Sequence, residues 1–188
     1  MDPTKKSCYR KSHYGKSCYL RDYCIPFFYI GFFVTGGVDS DGFGNNHTEY
    51  FNGTNWIEAS PLPFQSFGAC LTQLNQTHTM HIGGTVDSYV SNSNTRTHFN
   101  VTNKVLVFDW TMEKWTELTS MSQSRWAAGC TTLPNGEILV AGGVSSLFCL
   151  NDGSSRNCNG NWLSNDALNT TEIFDPKTNS WKSGPALP

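Results

Sequence analysis

The chain lacks any run of the ~18 apolar residues that a membrane-crossing helix needs. Its best apolar stretch, "CIPFFYIGFFV" from Cys24 to Val34, is much shorter. No amphipathic stripe extends beyond a couple of helical turns, which argues against a helical bundle. Charged residues are sparse, at 15% of 188. No Cys-x-x-Cys pair or Cys/His set stands at zinc-ligand spacing. Neither a nucleophile elbow nor a phosphate-cradling glycine loop is present. These absences leave no metal, nucleotide or acyl-transfer motif to build a function on.

Positive charge is scarce beyond the start of the chain. Residues 1–23 carry Lys5, Lys6, Arg10, Lys11, Lys16 and Arg21 against Asp2 and Asp22, a net of +4. Taken from the 13 basic and 15 acidic groups of the whole chain, this leaves seven positive and thirteen negative groups on residues 24–188, a net of −6. An acidic body offers no basic face for phosphates, so no nucleic-acid partner is expected. Residues 1–23 read as a basic, disordered tail. The apolar stretch after it has no small-x-small cleavage site and runs into Gly36-Gly37, so it reads as a strand rather than a signal peptide.

Aromatics, by contrast, are plentiful at 13%, and apolar residues reach 38%. Gly, Asn, Ser and Thr crowd between short apolar runs, the composition of an all-β chain. Three of those runs stop on a glycine pair: "FFVTGG" (32–37), "TMHIGG" (79–84) and "GEILVAGG" (136–143). Aligning Gly36-Gly37, Gly83-Gly84 and Gly142-Gly143 brings other residues into register, the test for an internal repeat. Cys24, Cys70 and Cys130 precede the pairs by 12, 13 and 12 residues. Downstream come "TEYFNGTNW", "VLVFDWTMEKW" and "TEIFDPKTNSW", each a strand ending in an aromatic (Phe51, Phe108, Phe174), a polar turn and a Trp (Trp56, Trp115, Trp181). Six residues further stand Leu62, Met121 and Leu187. Each unit thus predicts four short strands, with Asn135-Gly136 suited to a tight hairpin turn.

Over residues 31–188 this ordered set of Gly-Gly, aromatic and Trp resembles the kelch repeat family. The resemblance implies an all-β fold of three four-stranded antiparallel blades of a β-propeller, stacked around an axis. It places the blades at about 24–62, 65–122 and 125–188. In this reading the glycines let the strand end bend without a Cβ clash, and each Trp covers a neighbouring blade. The first unit departs from the pattern: only Pro26 and Gly31 interrupt its opening apolar run, and its turn around Asn52-Gly53 is two residues shorter. Three blades do not close a ring of the four to eight that propellers use. Further blades or self-association are therefore expected to cover the outer blade faces.

The kelch resemblance implies a non-catalytic module that holds a protein or glycan partner on one loop face. On that face lie the segments after the glycines, 38–47, 85–102 and 144–168, and the connections between blades. Candidate binding residues are Tyr89, Arg96, His98, Phe148, Arg156 and Trp162, with Arg125 on a connection, since aromatics and Arg dominate binding hot spots. Asp39, Asp41 and Phe64 share the same segments. The second reading is part of a propeller-based enzyme such as a copper oxidase related to galactose oxidase. That chemistry needs Tyr, His and a cross-linked Cys, and no convincing set is found. His78 and His81 stand three apart on a strand and so cannot share a metal. "DSDGFG" (39–44) has too few regularly spaced carboxylates for calcium and reads as a polar turn. No cofactor or metal is expected.

Cys24, Cys70 and Cys130 occupy one strand position, where a free thiol packs as a small hydrophobe. Cys149 and Cys158 bracket a single loop at a spacing that suits a disulfide, and Cys8 and Cys18 could pair likewise. Five glycosylation sequons, at Asn46, Asn52, Asn75, Asn100 and Asn169, fall in turns or at strand margins. Sequons and the loop cysteines point to a secreted glycoprotein, while the missing signal peptide points to the cytoplasm.

Overall fold

A computed structural model describes residues 25–27, 31–39, 43–90, 96–150, 162–164 and 166–188. These residues are entirely β and turn, and no helix among them is long and apolar enough to cross a membrane. The strands are β1 (Ile25–Phe27), β2 (Gly31–Thr35), β3 (Thr48–Phe51), β4 (Trp56–Glu58), β5 (Cys70–Asn75), β6 (His78–Ile82), β7 (Thr85–Val90) and β8 (Arg96–Val101). They continue as β9 (Val105–Asp109), β10 (Lys114–Leu118), β11 (Gly129–Thr132), β12 (Ile138–Ala141), β13 (Leu147–Leu150), β14 (Trp162–Leu163), β15 (Thr171–Asp175) and β16 (Ser180–Ser183).

Three antiparallel four-stranded sheets correspond to the three repeats: β1-β2-β3-β4, β5-β6-β9-β10 and β11-β12-β15-β16. They form no closed ring. Within each sheet the aromatic and the Trp are a directly opposed pair on the last two strands: Phe51 with Trp56, Phe108 with Trp115, Phe174 with Trp181. Their ring centroids lie 5.5, 5.0 and 5.1 Å apart. Such cross-strand aromatic pairs each add roughly 0.2–1 kcal/mol over Ala–Ala. The turn between the two strands is held by the polar residue that follows the aromatic. Asn52 Oδ1 accepts from the Thr54 and Asn55 N–H groups, Asp109 Oδ1 from Thr111 and Met112, and Asp175 Oδ1 from Lys177.

Alternation along the strands gives each sheet two faces, and neighbouring sheets bury the faces they turn to each other. The first and second sheets meet through Phe33, Ala59, Leu71 and Phe108, with Tyr50, Trp110 and Trp115 at the margin. The second and third meet through Met80, Ile82, Val105, Val107 and Met121 on one side and Ile138, Val140 and Phe174 on the other. Trp115 and Trp181 also tie their sheets to the chain leaving the sheet before. The Trp115 indole donates to the Ser60 carbonyl at 2.9 Å, and Trp181 to that of Thr119 at 2.8 Å.

The glycine pairs receive the connection into the next sheet. Gly37 and Gly84 N–H donate to the carbonyls of Ser66 (2.9 Å) and Arg125 (2.8 Å). Gly36 and Gly83 both hold φ at +68°, and a Cβ on either would stand 2.3 Å from that same carbonyl oxygen. The space belongs to the next repeat's backbone, so a side chain cannot be fitted. A further repeated contact went unnoticed in the sequence. Asn46, Asn103 and Asn169 stand five residues before the aromatic, and their carbonyls accept from Leu62, Met121 and Leu187 N–H. The Asn46 and Asn103 side chains donate back to the Leu62 and Met121 carbonyls.

Two expectations change. Cys70 and Cys130 are not free core thiols but a disulfide joining the second and third sheets, with Cα atoms 5.9 Å apart. Equivalent positions on the first strands of neighbouring sheets come side by side, which an argument confined to one repeat does not reveal. Cys24 lies outside the described residues. The segments after the second and third glycine pairs are likewise not simple loops: they form β7, β8, β13 and β14, a fourth sheet of order β14-β13-β8-β7.

Two predictions follow from this packing. Gly143 holds φ at +84° and its Cβ would stand 2.6 Å from the Trp126 carbonyl, whereas Gly136, at +85°, has open space around it. Gly143→Val should therefore cost about 2–4 kcal/mol in a urea melt, and Gly136→Ala only about 1 kcal/mol. Equal costs would show that close approach plays no part. His81, 1% exposed between Phe64 and Trp115, has no hydrogen-bond partner on either ring nitrogen. Burial lowers its pKa from 6.5 to about 4. Because the folded value lies below the unfolded one, this stability is fully present above pH 6.5 and is lost as pH falls towards 4, about 3 kcal/mol in all. His81→Phe should flatten that part of the pH–stability profile, and an unchanged slope in the variant would exclude His81 as its source.

Candidate functional site

The fourth sheet joins insertions from two different repeats. β7 and β8 follow Gly84, β13 and β14 follow Gly143, and the two hairpins pair through β8 and β13. Leu147 lies opposite Phe99 and Cys149 opposite Thr97, all four being 0–4% exposed. Leu147, Phe99 and Cys149 join Val38, Phe67, Val101 and Trp126 in a separate core over the connections between sheets. Phe67 packs edge-on to Phe99 at 5.2 Å and stands 6.1 Å from Trp126. Both connections are also hydrogen-bonded to these insertions. Thr85 and Phe67 bond through N–H to carbonyl (3.1 Å) and N–H to Thr85 Oγ1 (3.2 Å), while Trp126 and Val144 exchange backbone bonds.

Period-two alternation turns the remaining positions to the other side of this sheet. Tyr89, His98, Phe148 and Leu163 are consecutive partners in one row across the four strands. His98 and Phe148 are half-buried, with ring centroids 5.9 Å apart and planes tilted by 31°. The structure thus brings three residues predicted from two separate segments, Tyr89, His98 and Phe148, to one row. Arg96 stands opposite Leu150 at the end of the central strands, and Trp162 opposite Cys149 in the adjacent row. Arg156 and Asp41 lie outside the described residues. The neighbouring rings of His98 and Phe148 can stack on planar or apolar groups, with the imidazole as a polar handle.

Arg125 does not belong to that surface, and the expectation for it is corrected. Its side chain is fully buried and clamps the second sheet to the third. Nε and Nη2 donate to Glu172 Oε1 at 3.3 and 3.2 Å, Nη1 to the Gly142 and Thr170 carbonyls, and Nη2 also to Thr170 Oγ1 and Gln123 Oε1. Glu172, itself 4% exposed, takes its second oxygen to the Ser122 N–H at 2.7 Å. A buried guanidinium with every N–H directed at an acceptor has no donor left for a partner. Sequence reasoning missed Glu172 and Gln123; a glutamate amid apolar strand positions was the available signal.

Phe64 is half-buried, 6.4 Å from His81. Asp39 Oδ1 accepts from the Phe43 N–H. Cys149 is disulfide-bonded, and Cys158, its expected partner, lies outside the described residues. Asn52, Asn75, Asn100 and Asn169 are exposed, and Asn46 is half-buried with its amide on Leu62. A groove of about 420 Å³ runs between Pro61, Pro63, Leu106 and Trp115, lined by no residue of the fourth sheet. Among the described residues no three His, Cys, Asp or Glu side chains gather as a metal site.

Comparison with known proteins agrees with this architecture. The kelch motif family matches residues 158–188. The chain is 35% identical over 88 residues to Kelch repeat and BTB domain-containing protein 12 of Danio rerio, covering 47% of this chain and 12% of that protein. It is 26% identical over 134 residues to the Homo sapiens protein of the same name, covering 71% of this chain and 19% of that one. The chain thus spans less than a fifth of the length of either relative. Three stacked sheets repeating one Gly-Gly, aromatic and Trp framework are consistent with blades of a kelch-type β-propeller, the family whose motif matches residues 158–188.

Proposed function

We propose that these kelch repeats are a non-catalytic interaction module and that the outer side of the fourth sheet receives a protein partner. The observation that carries this reading is the pairing of β8 with β13, which aligns Tyr89, His98 and Phe148 in one row from two repeats. Simple hairpin turns would suffice to connect the propeller strands, so the added sheet and its own core serve something beyond the blades. The names of both relatives state kelch repeats, a repeat generally used to hold protein partners. Arg96, two residues before His98 on β8, would extend the surface.

The test is affinity capture with tagged wild-type chain, His98→Ala, Phe148→Ala and, as a control, Met112→Ala, which removes a side chain 70% exposed on a turn of the second sheet. A partner held by the wild type and by Met112→Ala should bind at least ~10-fold more weakly to Phe148→Ala, the loss of a peripheral to central hot spot. A partner bound equally by all four would place the interaction elsewhere.

We further propose that the oxidised chain resides in a disulfide-permissive compartment, supported by the Cys70–Cys130 bridge and the bonded Cys149. Closing a 60-residue separation should contribute about 4 kcal/mol. Non-reducing peptide mapping should return Cys70 linked to Cys130 and Cys149 linked to Cys158, with glycosidase-sensitive mass at exposed sequons. Free thiols at all four positions would exclude this compartment.

A further inference from the structure

Position 81 departs from its own repeat. Two residues before the glycine pair, the first and third repeats carry Val34 and Val140, and the second carries His81. Val140 is 0% exposed and His81 1%, so the same buried place holds hydrocarbon in one sheet and an imidazole in another. His81 lies in register between Leu71 on β5 and Leu106 on β9, both buried. Neither ring nitrogen has a hydrogen bond. A buried polar group without a partner carries a desolvation cost that valine avoids.

The imidazole sits in the contact between the first and second sheets. Phe64, on the connection joining them, and Trp115 stand nearly perpendicular to it, with ring centroids at 6.4 and 6.2 Å. Among the described residues no free charge faces it to balance an imidazolium. The connection from Ser60 to Ser66 and strand β1 hold no ionisable residue. Of the first-sheet positions in register with Phe33 and Thr35, only Tyr50 titrates. Glu49 and Glu58 are paired on the alternate side of that sheet. On the second sheet, Glu117 stands beyond Leu106 in the row of His81 and is ion-paired with Lys104 at 2.7 Å.

The two junctions are also fastened differently. Between the second and third sheets lie the Cys70–Cys130 disulfide and the Arg125–Glu172 pair. Among the described residues no disulfide or ion pair links the first sheet to the second. Ser66, in the place of Arg125, is 0% exposed and has no hydrogen bond on Oγ. Two unmet polar groups therefore lie in the junction that has neither covalent nor ionic fastening.

We propose that His81 makes the junction between the first and second sheets an acid-operated latch. On acidification the imidazole takes a proton from solvent by leaving its apolar surroundings, and the first sheet parts from the second while the second and third stay joined. Burial holds the pKa at about 4 in the closed form, against 6.5 once the ring is exposed. The opened form binds the proton more tightly, so opening is favoured as pH falls below 6.5 and the effect saturates below 4. The gain in the opening equilibrium is roughly 30-fold at pH 5. The latch lies apart from the aromatic row of the fourth sheet and is independent of the partner proposed for that row.

Hydrogen–deuterium exchange of the full chain, read by mass spectrometry at pH 7.5 and pH 5 and corrected for the intrinsic pH dependence of exchange, tests this. The wild type is compared with His81→Val, the residue of the other two repeats, and His81→Phe, which keeps a ring; circular dichroism checks that each folds. In the wild type, protection over β2, β3 and β4 should fall roughly 30-fold at pH 5, to at least ~10-fold below that of β12 and β15. In either folded variant the first-sheet loss should shrink to about threefold or less. The wild-type His81 ring, titrated by NMR, should show a midpoint that coincides with the loss of first-sheet protection. First and third sheets sharing one level of protection at pH 5 would overturn the proposal, because the chain then opens as a single unit. So would a first sheet unaffected by pH, an equal loss in a folded variant, or a ring midpoint that does not match.

Discussion

The rest of the structure depends on one close approach between backbones. The carbonyl of Ser66 rests on Gly36 and Gly37, and that of Arg125 on Gly83 and Gly84, at distances no Cβ could share. Each contact fixes where the chain enters the next sheet, and so sets the angle and separation at which sheets stack. Apolar contact then follows from that placement. Met80, Ile82 and Val105 meet Ile138, Val140 and Phe174 only because the connection before β11 is anchored at the glycine pair. Fully burying side chains of this size contributes about 1.5–3 kcal/mol each, and the order in which they meet is decided by the backbone contact.

The second connection adds a polar lock to the same junction. Arg125 presents its carbonyl to Gly84 while its guanidinium reaches Glu172, Thr170 and Gly142 in the following sheet. Removing a buried pair of this kind one partner at a time is far more harmful than replacing both, because the remaining charge stays desolvated. Ser66 holds the equivalent place in the first connection and has no such reach. The junction between the second and third sheets is further closed by the Cys70–Cys130 disulfide. The junction between the first and second instead relies on aromatic packing around Phe33, Phe108, Trp110 and Trp115.

The fourth sheet follows from the same arrangement. Stacking the second sheet beside the third brings the segments after Gly84 and Gly143 next to each other. Both carry alternating residues that suit pairing, with Thr97 and Phe99 on one and Leu147 and Cys149 on the other facing inward. Neither hairpin would bury an apolar face alone; paired, they close over Phe67 and Trp126. The surface proposed for a partner is thereby drawn from two repeats, and its row exists only while the sheets beneath keep their register.

The sequence by itself determined the three repeats, their strand count and the residues that recur in them. Those features are local: a period-two pattern, a glycine pair, and an aromatic opposed to a Trp a short turn away. The recurrence of Asn46, Asn103 and Asn169 was equally legible, though less conspicuous beside Gly and Trp. The partner of each cysteine, the burial of Arg125 and the fourth sheet were decided by tertiary structure. Cys70 and Cys130 are 60 residues apart, Arg125 and Glu172 are 47 apart, and Phe99 pairs with Leu147 although β9 to β12 lie between them in the chain. Each depends on how one repeat sits against the next, and that angle is set by a carbonyl resting on glycine, a contact that no pattern of side chains along the chain describes.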